Sequence, residues 1–157
     1  MTLVQPAVVV LSVVLSASPA AQARPDFSGT WTMDLSRSES AHQGDPIGPV
    51  TVVITQSPSE LRIETTRQQA KTTAVYQLDG SESRFADGTA TAHWDGPALV
   101  IDAVHEVQGA AVTTKETRRL GAGGSEMLVE TVVAVQHGYS VATNYGAGKN
   151  VFVRVRP

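Results

Sequence analysis

The chain has 157 residues, a formal net charge of −3 and no cysteine. That length fits a single domain, and the missing cysteine excludes disulfides, thiolate metal sites and a cysteine nucleophile. A weak negative charge, with no basic run and no aromatic–basic platform, argues against a nucleic-acid partner.

The first feature in chain order is a short apolar run, AVVVLSVVL from Ala7 to Leu15. SASPAAQA follows and ends in Ala21-Gln22-Ala23, a small-x-small pair of the kind that signal peptidases cut. The run is too short for a membrane span, which needs roughly 20 apolar residues. The expectation is a signal peptide over residues 1–23 and a secreted or periplasmic mature chain from Arg24 to Pro157, with no stable membrane insertion after cleavage.

From Arg24 onward, period-two alternation of β-branched residues replaces helical spacing. Trp31, Met33 and Leu35 share one face of a first strand. Ser36 to Pro49 is a polar loop with Gly44, Pro46, Gly48 and Pro49. Strands then run from Val50 to Thr55, Leu61 to Thr65 and Lys71 to Leu78. Asp-Gly pairs recur at Asp79-Gly80, Asp87-Gly88 and Asp95-Gly96, and Asp-Gly suits the left-handed backbone of tight hairpins. Further strands run from Thr89 to Trp94, Leu99 to Val107, Ala111 to Leu120 and Met127 to Gln136. The stretch from His137 to Gly148 reads as a loop or a weak extra strand, and Asn150 to Arg156 closes the chain. Roughly eight to ten sequential strands without a long crossover predict an all-β, up-and-down antiparallel barrel. Such a barrel pairs its last strand with its first, and its interior holds side chains or one small ligand.

The stretch DFSGTW, Asp26 to Trp31, explains the start of the barrel. Gly29 allows close backbone approach, and Trp31 is large enough to plug one end. An arginine of the last strand, Arg154 or Arg156, is placed to cover the indole by stacking and cation–π attraction. Gly29 and Trp31 are therefore read as structural.

Phe27 followed by Gly29-Thr30-Trp31 resembles the G-x-W opening of lipocalins, fatty-acid-binding proteins and related calycin barrels. The order of the later pieces resembles the fatty-acid-binding branch: His93-Trp94-Asp95-Gly96, Thr113 to Arg118, Met127 to Glu130, and Val153 to Arg156. The opening FSGTW with Leu35-Ser36-Arg37-Ser38 is also similar to small exported bacterial proteins with lipocalin-like domains. The resemblance implies a ligand-binding barrel. Two departures qualify it. The polar loop after the first strand is too short and too rich in Pro and Gly for a helical lid. The last strand reads Arg154-Val155-Arg156 where fatty-acid-binding proteins carry Arg-x-Tyr, which puts fatty acid itself in doubt.

Catalytic patterns are weak. His42, His93, His105 and His137 lack metal-ligand spacing. No G-x-S-x-G elbow is present, and Gly121 to Gly124 lacks the Lys-Ser/Thr and helix of a phosphate loop. Asp102 and Glu106 are about 13 Å apart along one strand and read as a solvated outer face. No cofactor or metal is called for. The expected role is binding of a small, largely apolar or amphiphilic molecule in the barrel mouth, with Arg154, Arg156, Arg118, Tyr76 and His93 as candidate polar contacts. The expected state is a monomer or small homo-oligomer. Two other readings stay open: an isomerase- or cyclase-type enzyme using one interior acid or base, and a barrel filled by its own side chains that serves as an interaction module.

Overall fold

The computed structural model describes residues 24–41, 48–137 and 143–156; the expected leader and His42 lie outside them. Ten strands follow in chain order: β1 (Gly29–Met33), β2 (Val50–Gln56), β3 (Glu60–Arg67), β4 (Ala70–Gln77), β5 (Glu82–Phe85), β6 (Gly88–Asp95), β7 (Ala98–Val107), β8 (Ala110–Leu120), β9 (Glu126–His137) and β10 (Thr143–Arg154). They form one sheet in the order β4-β3-β2-β1-β10-β9-β8-β7-β6-β5. Consecutive strands pair antiparallel except β4 and β5, and β1 also pairs with β10. The result is a nearly closed up-and-down barrel. Its one seam, between β4 and β5, is bridged by the Gln77 N–H donating to Ser83 Oγ at 3.0 Å. Tyr76 also meets Phe85 edge-on across it, with ring centroids 5.6 Å apart. Among the described residues there is no α-helix, only two 3-10 turns, Leu35–Arg37 and Ala122–Gly124.

The alternation predicted from sequence sets which face is inside. Val50, Val52 and Ile54 of β2 and Leu61 and Ile63 of β3 are buried, each one residue out of step with an exposed or half-exposed neighbour, while β7 is buried on both faces from Ala98 to Ile101. Gly80 and Gly96 take the left-handed backbone at φ +84° and +56°, as Asp-Gly turns require. Gly88 does not. It opens β6, and a Cβ there would lie 1.9 Å from the Val104 carbonyl oxygen, so its glycine serves close approach rather than turn geometry. Gln68 and Gln108 supply the left-handed residues at the β3–β4 and β7–β8 turns.

Two expectations need correction. β1 ends at Met33, and Leu35 sits exposed in the 3-10 turn rather than continuing the strand. Of the two readings left open for His137 to Gly148, the strand holds from Thr143, where β10 begins; Val155 and Arg156, expected in the last strand, lie beyond its end. The glycines that weakened the strand signal have a packing reason. The chain after the first turn lies against β10 there: Glu39 and Lys149 exchange backbone hydrogen bonds of 2.7 and 2.9 Å. A Cβ at Gly146 would meet the Ala41 carbonyl oxygen at 2.0 Å, and one at Gly148 the Ala41 nitrogen at 2.3 Å.

One end of the barrel is closed by a fully buried cluster of Phe27, Trp31, Leu61, Leu99 and Met127. The Trp31 indole N–H donates to the Phe27 carbonyl at 2.9 Å, so its polar edge is satisfied inside the core. The Arg154 guanidinium lies over the ring, 4.1 Å from its centroid. Its Nε donates to the Gly124 carbonyl at 2.9 Å, and Nη1 to the Ser28 carbonyl. Gly29 (φ +136°) leaves the space for this: a Cβ there would lie 2.5 Å from Arg154 Nη1. Truncation of Trp31 removes the floor of the barrel. Trp31→Ala is expected to cost about 3–5 kcal/mol, read as a lowered urea midpoint. A variant unfolding at the parent's midpoint contradicts this role.

Candidate functional site

The strand register stacks the inward-facing residues in rows. One row crosses Trp94, Leu99, Arg118, Val129 and Asn150; the next crosses Ala92, Ile101, Glu116, Thr131 and Gly148; a third crosses Ala90, Ala103, Thr114, Val133 and Gly146. Small residues dominate this wall above the floor. Facing it across the barrel are Val52, Ile54, Ile63 and Tyr76. Solvent reaches inward-facing positions away from Trp31. By register Thr72 faces in yet is exposed, and Thr114 and Thr131 are half-buried. Inward-facing residues around Trp31 are thus fully buried, while several toward the other end of the barrel keep partial exposure.

Arg118 and Glu116 stand in this wall two residues apart on β8, and two residues along a strand share a face. Arg118 Nη2 donates to Glu116 Oε2 at 2.5 Å. Arg118 is only 8% exposed, and its Nε is buried without a hydrogen-bond partner. The Glu116 side chain keeps 31% of its surface accessible. The accessible polar surface of this pair is mainly the carboxylate. Tyr76 is close enough to feel both charges. Burial raises its phenol above the usual value, the Glu116 carboxylate adds to the rise, and the Arg118 guanidinium opposes it. Tyr76 continues through Phe85 to His105, whose rings stack at 6.4 Å. His105 Nδ1 lies 3.2 Å from Asp87 at the rim.

Of the residues singled out from sequence, the structure brings Arg118 and Tyr76 together inside the barrel. Arg154 lies under the floor, engaged with Trp31 and two backbone carbonyls. His93 is a correction. It is one residue out of step with inward-facing Ala92 and Trp94, so it sits exposed on the outer wall, 4.0 Å from Asp102. Arg156 is a second correction: it follows the last paired position, Arg154 opposite Trp31, and is exposed. Asp102 and Glu106 do face outward.

Glu116, Trp94, Phe85 and His105 were not picked out from sequence as parts of an interior site. For Glu116 a signal existed, since Arg118 was a candidate and Glu116 shares its face. The Trp94 Nε1 is buried without a partner, while the ring is stacked on Phe27 at 6.1 Å and covered by Arg24 at 5.6 Å. A shallow cleft of about 330 Å³ between Thr91, Val104, Lys115 and Val132 lies on the outer wall and gathers no comparable buried polar group. Among the described residues no cluster of His, Asp and Glu is arranged to hold a metal ion.

No protein-family model matches the chain, and no curated protein matches it either. Solved structures do match. A structure titled REP1-NXSQ fatty acid transporter superposes with a TM-score of 0.57 at 15% identity, covering 83% of this chain and 97% of that one. Human cRBP IV gives 0.57 at 17% identity, over 83% and 99%. The apo form of lipid binding protein 8 from Caenorhabditis elegans gives 0.55 at 10% identity, over 82% and 95%. The chain thus has the fold of the fatty-acid-binding and lipocalin-like calycin barrels, as its opening motif and hairpin order imply.

The phenol of Tyr76 supplies a test of the site's geometry. Its pKa is raised in the fold above the usual 10.0. The stability gained by keeping it protonated is present in full below the unfolded value and is lost as pH climbs through the folded one. Tyr76→Phe should flatten the fall of the thermal midpoint above about pH 10. A variant whose midpoint falls in parallel with the parent's would place Tyr76 in solvent.

Proposed function

We propose that the mature chain is an exported binding protein that holds a small, largely apolar molecule in the barrel lumen above the Trp31 floor. The observation that carries this reading is the Arg118–Glu116 pair. It stands inside the barrel, in a wall of alanines, threonines and aliphatics, with solvent reaching Glu116. A partly buried ion pair carries a desolvation cost and adds little to stability compared with apolar packing. Concave apolar sites with a few placed polar groups are the usual form of small-molecule sites. Two superposing structures, a fatty acid transporter and a lipid binding protein, support the same class of ligand. The apolar run Ala7 to Leu15 and the Ala21-Gln22-Ala23 site support export.

Binding is tested with Nile red, a neutral apolar dye whose fluorescence rises in apolar surroundings. The wild-type chain should take up about one dye per molecule. Thr114→Trp places an indole in the open part of the lumen and should weaken uptake by about tenfold or more, ~1.4 kcal/mol, with the thermal midpoint within a few degrees of the parent's. No uptake by the wild type, or equal uptake by a folded Thr114→Trp variant, contradicts a lumen site. Export predicts that the chain recovered from the periplasm of a bacterial host begins at Arg24. Recovery from the cytoplasm with Met1 retained contradicts it.

A further inference from the structure

We infer that the polar end of the ligand is neutral and donates a hydrogen bond, as a primary amide or an alcohol does, and is not a carboxylate. This rests on the lumen reading above and specifies what the lumen selects.

The argument starts from the charges that face inward. Among the described residues, those at depth above the floor are Arg118 and Glu116, and they face each other at 2.5 Å. Arg154 is below Trp31 and spends its donors on the Ser28 and Gly124 carbonyls. Arg67 falls on an inward position only at the open rim, where it is exposed. His105 is at the rim, beside Asp87. Lys71, Lys115 and Lys149 pair by register with outward-facing residues.

The positive charge of Arg118 is therefore already compensated. A ligand carboxylate brought alongside would meet Glu116 as well as Arg118. The attraction of one is offset by the repulsion of the other, and the loss of the carboxylate's own hydration is left uncompensated. The exposures sharpen the point: Arg118 is 8% exposed, whereas the Glu116 side chain is 31% exposed. The reachable polar surface is an acceptor, and an acceptor is completed by a donor on the ligand. Tyr76 adds a hydroxyl that can both accept and donate. A neutral head has far less hydration to lose than an ion and can satisfy both groups. A cationic head would match Glu116, but it would sit beside the Arg118 guanidinium with the same cancellation.

Displacement of Nile red by three ligands of one chain length and unsaturation tests this: oleamide, oleate and oleylamine, at neutral pH. Oleamide should displace the dye with an affinity about tenfold or more above that of oleate, with oleylamine also weaker than oleamide. Glu116→Gln leaves Arg118 without its counter-charge, so oleate should gain on oleamide and the order of those two reverse. The inference is overturned if the dye binds the wild type and oleate or oleylamine displaces it as well as oleamide does. It is also overturned if a folded Glu116→Gln variant keeps the wild-type ratio. If Nile red is not taken up at all, the lumen reading fails and the inference fails with it; the dye alone separates the two cases. Should Glu116→Gln not fold, the wild-type ranking decides.

Discussion

The barrel depends on how its first and last strands are locked together. β1 is only five residues long and makes few ladder bonds to β10. Its hold comes from the side chains around Trp31. The indole donates back to Phe27, Arg154 of β10 lies on the ring, and the same guanidinium gathers the carbonyls of Ser28 and of Gly124 in the β8–β9 connection. One arginine thus joins the chain's opening, its last strand and a third hairpin. It can do so because a cation over an indole face gains both electrostatic attraction and packing. Gly29 is required because any side chain there would occupy the guanidinium's place.

Closing the floor in this way has a consequence for the rest of the interior. The large side chains are spent at one end, where Phe27, Trp31, Leu61, Leu99 and Met127 exclude solvent completely. The inner positions of β6, β8 and β10 above them are filled by Ala90, Ala92, Thr114, Gly146 and Gly148. Side chains of that size fill little of the interior, and part of it, at Gly146 and Gly148, is taken by the backbone of Ala41. At the far end the backbone of Ala41 lies against Gly146 and Gly148, so the connection after β1 packs on that wall without a helical lid among its described residues. Among the described residues, charge is admitted above the floor at Arg118 and Glu116, near Tyr76. The fold and the placement of these groups together support a carrier. The chemistry of the pair narrows what it would carry.

Much of this was legible in the sequence, because β-strand alternation is a local signal and this chain keeps it. The hairpin order, the Asp-Gly turns at Gly80 and Gly96, and an arginine near Trp31 follow from residue spacing alone. The failures come where a residue's reason is distant in sequence. Gly146 and Gly148 left strand and loop both open because the backbone they accommodate, at Ala41, is more than a hundred residues earlier. Gly88 read as a turn glycine although Val104 is what it makes room for. His93 was placed inside because register between strands, not composition, decides which parity of β6 faces the lumen. Once Leu99 is known to face inward opposite Trp94, His93 must face out. That Glu116 shares a strand face with Arg118 was legible from the i, i+2 spacing. Its partial exposure inside the barrel was not, since it depends on how small the neighbouring walls are.

The most direct measurement is a crystal structure of the full mature chain, read for density in the space bounded by Glu116, Tyr76 and Thr114. The account predicts ordered water or a co-purified molecule there, hydrogen-bonded to the Glu116 carboxylate, with Arg118 holding its contact to Glu116. A barrel whose walls have collapsed onto one another, leaving no room above Trp31, would contradict it.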